Sequence, residues 1–594
     1  MLEQLITSNT IKAIQKLYGV EIKENLISLQ NTRPDIEGDI TLVVFPFLRM
    51  SKKGPEQTAE EIGSFLSENV EEIESYSVIK GFLNLVVSNN YWLNFFNENA
   101  VIPTYGYRET KDEDPFVIEY SSPNTNKPLH LGHIRNNLLG WSIAQILKAN
   151  GRNVKKVNLV NDRGIHICKS MLAWLKYGNG ATPESTGIKG DKFVGDYYVR
   201  FDQEYKKEIA TLVEGGMEKE DAEKNAPLIK EAREMLKKWE INDPEVRSLW
   251  EKMNAWVYEG FDVTYNRMGI DFDKIYYESD TYLLGKALVE DGLKNGVLFK
   301  KDDNSIWCDL EDRNLDQKLL LRGDGTSVYM TQDLGTAEQR YDEFHPQKLM
   351  YVVGNEQNYH FDVLKIILDK LGKDWAEKIH HISYGMVELP HGKMKSREGT
   401  VVDADDLMSE MFNTAKTTTE ELGKIDGLSE DEANGLFRKI SLGALKYFML
   451  KVDPKKTMLF NPAESIDFNG NTGPFVQYTY ARIQSIIRKS ADVGLNNYSI
   501  QHNVPLERKE KELLKTLSQF SEVINQAATT FSPAVIANYI YSLVKEYNSF
   551  YHDFSVLKEE NKDKALFRVA LSAFTSLVIK NGMALLGIEV PNKM

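Results

Sequence analysis

Two patterns of apolar positions occur in the first part of this chain, and they predict different elements. Residues 38–45 and 81–87 are short runs rich in apolar and β-branched side chains, which is typical of strands. Residues 5–18 and 55–66 place apolar side chains at helical spacing. We therefore expect residues 1–110 to form a small α/β domain.

Strand and helix patterns alternate again in the middle of the chain. Apolar, strand-like runs lie at 116–119, 154–160, 348–354 and 380–385, and helical spacing follows the earlier runs. Alternation of this kind predicts a parallel sheet with covering helices. We expect a Rossmann-like catalytic domain over residues 111–405.

Two further stretches are mainly helical in pattern. Lys/Glu-rich helices interrupt the sheet pattern and predict an insertion at about residues 195–325, most simply a solvated surface. Apolar positions recur at helical spacing over residues 406–594, so we expect an all-α domain there. The predicted fold class is thus α/β with a helical domain at the carboxyl end.

Composition limits the classes of protein that fit. A chain of 594 residues suggests about three or four domains, and 42% hydrophobic content argues against wholesale disorder. Only two cysteines, Cys168 and Cys308, argue against a disulfide framework or a Cys-rich zinc site. We see no secretory signal and no run near the ~18 apolar residues of a membrane span. We expect a cytoplasmic protein without a membrane partner.

The charge balance is acidic. A net charge of −15 counts against nucleic-acid binding, because phosphate contacts come mainly from Lys and Arg. A large protein can nevertheless carry a local basic face, so the total charge leaves nucleic-acid binding open.

The segment Lys127-Pro-Leu-His-Leu-Gly-His133 follows a predicted strand. A strand that enters a glycine turn and then a helix suits the α-phosphate of ATP, because first-turn N–H groups face the anion. Gly132 leaves room for the nucleotide, and His130 and His133 could donate hydrogen bonds to developing charge. The two histidines are three apart, whereas a zinc protease needs four, so we expect no metal site.

A second segment, Lys393-Met-Lys-Ser-Arg397, lies between two glycines, Gly392 and Gly399, which give the chain flexibility on either side. A cationic loop between glycines can close on a triphosphate and neutralise departing pyrophosphate, a task that falls to Lys393. Taken alone, this loop is more simply a solvated basic turn.

Together the two segments resemble the HIGH and KMSK motifs of class I aminoacyl-tRNA synthetases. Within that class the chain is similar to the arginyl-tRNA synthetases over nearly its full length, most specifically over residues 119–136. The fourth KMSK position is Ser396 instead of lysine, so the resemblance assigns the missing positive charge to Lys127, with Lys395 and Arg397 as alternatives. It places the ATP contacts on His130, Gly132, His133, Lys393 and Met394.

The resemblance implies a pocket for a guanidinium, whose desolvation is costly unless a carboxylate meets its planar fork. It assigns guanidinium contacts to Glu119, Tyr329 and Asp333, and places Ser122, Asn124 and Gln357 near the α-amino and carboxylate groups. Ordinary structural roles stay open. Asp333 could cap a helix, Glu119 could be paired internally, and Gln357 could satisfy backbone groups at a strand end.

The implied reaction has two steps. L-arginine attacks the α-phosphorus of ATP, and the terminal ribose of tRNA(Arg) then attacks the arginyl-adenylate. His130, His133, Lys127 and Lys393 are the expected catalytic residues, and Mg²⁺ is expected to arrive bound to ATP. We expect a monomer.

The resemblance also implies contacts with the tRNA. The small amino-terminal domain would contact its outer corner, and Phe475, Tyr478, Tyr551 and Met594 match positions that hold anticodon-loop bases. Aromatic residues at helical spacing are also typical of a packed core.

Three alternatives compete with this interpretation. One is a class I synthetase for another amino acid, which the set Glu119, Tyr329 and Asp333 disfavours. Another is a synthetase-derived RNA-binding protein that no longer activates an amino acid. The intact motif residues disfavour it, namely His130, Gly132, His133 and Lys393. The third is a smaller nucleotidyltransferase, which would not need the long helical region.

Overall fold

The strands of this protein form two main sheets in a computed structural model. The structure describes residues 2–33, 35–388, 402–423, 427–495 and 504–594. The chain divides into two compact units. One comprises Met1–Tyr105, Ser485–Gln519 and Lys545–Leu577, and the other comprises Gly106–Gln484, Phe520–Val544 and Val578–Met594.

The first unit contains a four-stranded antiparallel sheet. Its strands are β1 (Leu29–Asn31), β2 (Ile40–Val43), β3 (Ile73–Ile79) and β4 (Phe82–Val87), in the spatial order β1-β2-β4-β3. Its amino-terminal helices are α1 (Leu2–Tyr18), α2 (Leu48–Ser51), α3 (Pro55–Asn69) and α4 (Asn89–Asn99). The predictions of two strands and two helices in this part of the chain are confirmed, as β2, β4, α1 and α3.

Aromatic side chains fill the core of this unit. The ring of Tyr105 lies 5.0 Å from that of Phe574, and the ring of Phe96 lies 5.6 Å from that of Phe567. The carboxylate of Glu510 is fully buried and forms ion pairs with Lys564 and Arg568. Residues from both ends of the chain therefore share one core within this unit.

The second unit is built on a five-stranded parallel sheet. The remaining strands of the chain are β5 (Phe116–Glu119), β6 (Val154–Val160), β7 (Lys274–Tyr277), β8 (Leu298–Lys300), β9 (Ile306–Cys308), β10 (Lys318–Leu321), β11 (Lys348–Gly354), β12 (Ile379–Tyr384), β13 (Val387–Glu388) and β14 (Met458–Leu459). The sheet has the order β12-β11-β5-β6-β7, so β5 is its central strand. The predicted parallel sheet is confirmed.

Helices make up most of the second unit. They begin with α5 (Leu131–Ala149), α6 (Ile165–Tyr177), α7 (Pro183–Thr186), α8 (Gly190–Glu214), α9 (Lys219–Asn225), α10 (Pro227–Glu240) and α11 (Pro244–Met268). They continue with α12 (Glu278–Thr281), α13 (Leu284–Lys294), α14 (Tyr329–Phe344), α15 (Asn358–Lys370), α16 (Ala404–Glu421), α17 (Glu430–Leu450) and α18 (Pro462–Ser465). Between β6 and β7 the chain forms α6–α11, which include the helices predicted for the insertion.

The last helices of the chain are α19 (Gly473–Asp492), α20 (Arg508–Ser518), α21 (Phe520–Thr530), α22 (Pro533–Asp553) and α23 (Lys562–Leu585). Apart from β14, the described part of residues 406–594 contains no strand, which agrees with the helical pattern predicted there.

The described residues bear on two further classes, membrane-spanning proteins and metal-binding proteins. None of the helices there combines the length and apolarity needed to cross a membrane. The same residues contain no group of three or more His, Cys, Asp or Glu side chains arranged to hold a metal ion.

Candidate active site

The first motif lies where the central strand of the parallel sheet gives way to a helix. Strand β5 ends at Glu119, and α5 begins at Leu131 with His130 as its N-cap. Ligands of open parallel sheets bind beyond the carboxyl ends of the strands, next to helix amino termini. The motif therefore occupies the position that the sequence predicted for a nucleotide site.

The two imidazoles are held by backbone donors. The Nδ1 atom of His130 accepts a hydrogen bond from the Gly132 N–H at 3.1 Å, and the Nδ1 atom of His133 accepts one from the His130 N–H at 3.1 Å. Since Nδ1 accepts in both rings, the proton of each neutral imidazole lies on Nε2. Both histidines are thus prepared as Nε2–H donors.

Burial keeps these rings neutral. Burial, and next the charge of Lys127, lower the pKa of His130 to about 3. Burial also lowers the pKa of His133 well below its usual range, and His130 and Lys127 lower it further. Protonation would place a hydrogen on Nδ1 and break the backbone hydrogen bonds, so the arrangement and the lowered pKa values agree.

The neighbouring His130 ring leaves little room for a side chain at position 132. A Cβ atom added at this position would lie 3.0 Å from Cε1 of His130. A side chain there would press on the imidazole that caps the helix, so glycine preserves the position of His130.

Residues that follow the second motif are hydrogen-bonded to the first motif. The Leu131 N–H donates to the Val402 carbonyl at 3.1 Å, and the Ala404 N–H donates to the Leu129 carbonyl at 2.9 Å. Lys393 and Met394 lie outside the described residues. The structure therefore brings the chain just after the second motif to the start of α5.

Ser121 and Ser122 form a left-handed bend between β5 and the first motif. Their φ angles are 79° and 46°, which non-glycine residues rarely adopt. The Asn136 side chain accepts from the Ser121 N–H at 2.6 Å, and the Asn158 side chain accepts from the Ser122 N–H at 3.0 Å. Asn136 also donates to the Val352 carbonyl at 2.7 Å, which joins the bend to β11.

Glu119 is buried and already has partners inside the protein. Its carboxylate forms an ion pair with Arg340, a fully buried residue of α14, and accepts a hydrogen bond from the Ser122 hydroxyl at 2.8 Å. The contact with Arg340 is electrostatic, without an aligned hydrogen bond. Burial lowers the pKa of Arg340, but the Glu119 carboxylate, together with the Tyr351 and Tyr276 phenols, raises it above its usual range. The internal pairing that the sequence left open for Glu119 is therefore present.

Asp333 lies on α14, one helical turn after Tyr329. One of its oxygens is 2.6 Å from Nε2 of His360, and about a third of its side chain is exposed. Burial raises the pKa of the Tyr351 phenol, and the carboxylates of Glu119 and Asp333 also raise it. The nearby charge of Arg340 acts in the opposite direction. Glu119 and Asp333 thus both raise the pKa of this one phenol, although neither lines the cavity described next.

A cavity of about 440 Å³ connects the first motif to α14. Its lining includes Asn124, Lys127, Glu278, Tyr329 and Gln332. Burial lowers the pKa of Lys127, so its ammonium is poorly hydrated and available to an anion. The structure therefore places two predicted arginine-pocket residues and one predicted catalytic lysine around a single cavity.

Glu278 was not predicted from the sequence. It faces the same cavity, and burial raises its pKa to about 7 despite the opposing charge of Arg163. A carboxylate in this state gains from any cation that enters the cavity. The residues around it in the sequence carry no motif that would have identified it.

Gln357 lies in a 3₁₀ turn (Asn355–Gln357) just after β11, and its side chain is exposed. Because β11 is the neighbour of β5, this turn is at the same end of the sheet as the first motif. No described contact assigns Gln357 a partner, so its role stays a prediction.

Three of the four predicted anticodon-binding residues each contact an aromatic or basic side chain. Phe475 lies 5.8 Å from the ring of Tyr541, Arg482 lies over the Tyr478 ring at 4.9 Å, and Tyr551 stacks on Tyr547 with centroids 6.3 Å apart. Phe475 is half-buried, and 38% of Tyr551 is exposed. Met594, the last residue, is also half-buried.

Comparisons with known proteins decide the family. The family described as tRNA synthetases class I (R), catalytic domain, matches residues 99–461, which is more than half of the chain. The chain is 60% identical to the arginine–tRNA ligase of Bacteroides thetaiotaomicron, with 100% of both chains covered. The chain belongs to the class I arginyl-tRNA synthetases.

Other matches agree with this assignment. The family described as DALR anticodon binding domain matches residues 476–594. The arginine–tRNA ligase of Porphyromonas gingivalis is 55% identical, with 100% of this chain and 99% of the relative covered. The solved arginyl-tRNA synthetase of Thermus thermophilus has the same fold, with a TM-score of 0.78, 23% identity and 100% of both chains covered.

For this arginyl-tRNA synthetase we predict that Arg340→Met lowers the apparent melting temperature. The substitution leaves the buried Glu119 carboxylate without its counter-ion, and breaking a buried pair in this way costs about 3–5 kcal/mol. Thermal unfolding of the wild type, Arg340→Met, Glu119→Gln and the double variant measures the coupling. The double variant should recover part of the loss. An Arg340→Met protein as stable as the wild type would show that another group neutralises Glu119.

We also predict that adenylate formation shows no titration of His130 or His133 between about pH 5 and 8. The lowered pKa values keep His130 and His133 neutral throughout this interval, so both remain Nε2–H donors as the pH falls. The pH dependence of ATP–pyrophosphate exchange tests this. An acid limb near the ordinary histidine pKa that disappears in a His133→Asn variant would contradict the assignment.

Proposed function

We propose that this chain ligates L-arginine to tRNA(Arg) in two steps, through arginyl-adenylate, with ATP as substrate. The observation that carries the proposal is the family match over the whole chain, together with one cavity that joins the first motif to α14. The helical carboxyl region belongs to an anticodon-binding family, which supports tRNA as the partner.

In the first step, the α-carboxylate of arginine attacks the α-phosphorus of ATP and pyrophosphate leaves. His130 and His133 present neutral N–H donors to the charge that develops at the phosphorus, without any proton transfer. Lys127, on the cavity wall, supplies the positive charge that the second motif lacks at Ser396. Lys393 and Met394 complete the ATP contacts in this proposal.

Asp333 is the leading partner of the arginine guanidinium in this proposal. Glu119 is already neutralised by Arg340, whereas about a third of the Asp333 side chain remains exposed and has a histidine as its neighbour. A guanidinium can form two parallel hydrogen bonds with such a carboxylate. Tyr329, which is 76% exposed, is free to pack on or bond to the same group. Ser122, Asn124 and Gln357 are assigned to the α-amino and carboxylate groups.

The tRNA contacts are assigned to two regions. Phe475, Tyr478, Tyr551 and Met594 are proposed to hold anticodon-loop bases, and residues 1–110 are proposed to contact the outer corner of the tRNA. We retain residues 111–405 as the catalytic domain and 406–594 as the helical stem and anticodon-binding domain. The described residues offer no carboxylate cluster for a metal, so Mg²⁺ is assigned to the incoming nucleotide. We propose a cytoplasmic monomer.

ATP–pyrophosphate exchange with each amino acid, run with and without total tRNA, tests the function. We expect exchange with arginine, because the acidic pocket selects a forked cation, and we expect tRNA to be required or strongly stimulating. Exchange with lysine instead of arginine, or no exchange with arginine even with tRNA present, would overturn the proposal.

We predict that Asp333→Ala raises the KM for arginine by roughly 10- to 10²-fold, because a hydrogen bond to a charged group contributes about 1.5–3 kcal/mol. Steady-state exchange kinetics measure the change. Asp342→Ala is the matched control, since Asp342 lies on the same helix and is exposed. An unchanged KM in Asp333→Ala would exclude Asp333 from the arginine pocket.

A further inference from the structure

A second cavity in the second unit, of about 620 Å³, is larger than the candidate active-site cavity and shares no lining residue with it. It lies between the end of α11, one face of α17 and the segment that follows α23. Neither the two motifs nor the proposed arginine pocket uses it.

The charged residues that line this cavity are mostly basic. They are Arg267, Arg438, Lys439, Lys446 and a single carboxylate, Glu589. The excess of positive charge contrasts with the net charge of −15 for the whole chain. An adjoining cavity of about 300 Å³ shares Arg267, Arg438 and Leu442 with the first cavity and adds no further charged residue.

Lys446 is buried here without a carboxylate partner. It is 7% exposed, and its ammonium donates to the Gly587 carbonyl. Burial lowers the pKa of Lys446 to about 8, and Glu589 opposes this only in part. The ammonium has three N–H donors. An anion in the cavity would therefore relieve a desolvated charge.

Arg438 is the second notable cation. It is exposed, and within the described residues its guanidinium has no ion-pair or hydrogen-bond partner. The other two cations are paired: Lys439 lies 3.2 Å from Glu589, and Arg267 donates to the Asp405 carbonyl and the Ser409 hydroxyl at 3.1 Å each. Arg438 is thus available at the mouth of a cavity that holds a buried ammonium.

We propose that this cavity is a phosphate-binding site, in which Arg438 and Lys446 contact the phosphate oxygens and Lys439 adds charge. A guanidinium matches the geometry of a phosphate, and an ammonium adds a compact positive charge. Two sources can supply the group: a backbone phosphate of the bound tRNA, or a free phosphate ion. The first source rests on the proposed function, and the second does not.

A structural role explains only part of this arrangement. Lys446 could simply fasten the carboxyl-terminal segment through the Gly587 carbonyl. That role leaves the basic excess of the lining and the unpaired guanidinium of Arg438 unexplained. The phosphate site accounts for all of these features.

The test uses two double variants, Arg438→Ala/Lys439→Ala and a control, Lys237→Ala/Lys238→Ala. The control replaces two adjacent exposed lysines of α10, so it removes the same amount of positive charge from a different part of the surface. The affinity for tRNA is measured at several salt concentrations, and inorganic phosphate is titrated calorimetrically without tRNA. If the source is tRNA, the slope of log affinity against log salt should fall by about one per lost phosphate contact. The lysine control should keep the wild-type slope.

If the source is a free ion, the wild type and the lysine control should bind inorganic phosphate at a site that the Arg438/Lys439 variant lacks. Unchanged salt slope and unchanged phosphate binding in that variant would overturn the proposal. Lys446→Met separates the structural role: lower thermal stability with both binding measurements unchanged would remove Lys446 from the site. Arginine-dependent exchange by the wild type is measured in parallel, so a failure of the proposed function is seen independently.

Discussion

The left-handed bend at Ser121 and Ser122 is the constraint on which the candidate active site depends. It turns the chain out of the central strand of the sheet, and two non-glycine residues in this conformation cost roughly 1–3 kcal/mol each. The N–H groups of Ser121 and Ser122 donate hydrogen bonds to the side-chain oxygens of Asn136 and Asn158, which offsets that cost. Because Asn136 also bonds to β11, the bend fixes the first motif relative to the sheet.

Three charged groups of the second unit differ in whether the protein itself neutralises them. Glu119 is neutralised within the protein by Arg340, whereas Glu278 is left with a pKa of about 7 and faces a cavity. Lys446 has no carboxylate partner among the described residues, because Glu589, the one carboxylate that lines its cavity, pairs with Lys439. A buried charge that is paired within the protein is already neutralised, whereas one that the fold leaves desolvated favours a ligand of opposite charge. The net charge of the chain does not show which of its charged groups are paired and which are not.

Much of the fold could be predicted because the relevant signals are local. The apolar runs of β4 and β11 and the helical spacing of α3 follow from which side chains are buried along each element. Strand β3 was not predicted, because most of its side chains are exposed or half-buried and its pattern is weak. The carboxyl-terminal helices were predicted, but their division between two compact units was not, because helical spacing does not say which core a helix joins.

The sequence by itself determined the family and the first motif with its helix start, and it predicted acidic residues for a guanidinium pocket. Only the tertiary structure decided how those residues are paired. Arg340 and Glu278 lie far from Glu119 in the chain, and neither belongs to a recognisable motif. Periodicity reports the local burial of a segment, whereas the pairing of buried charges depends on which distant segments the fold brings together.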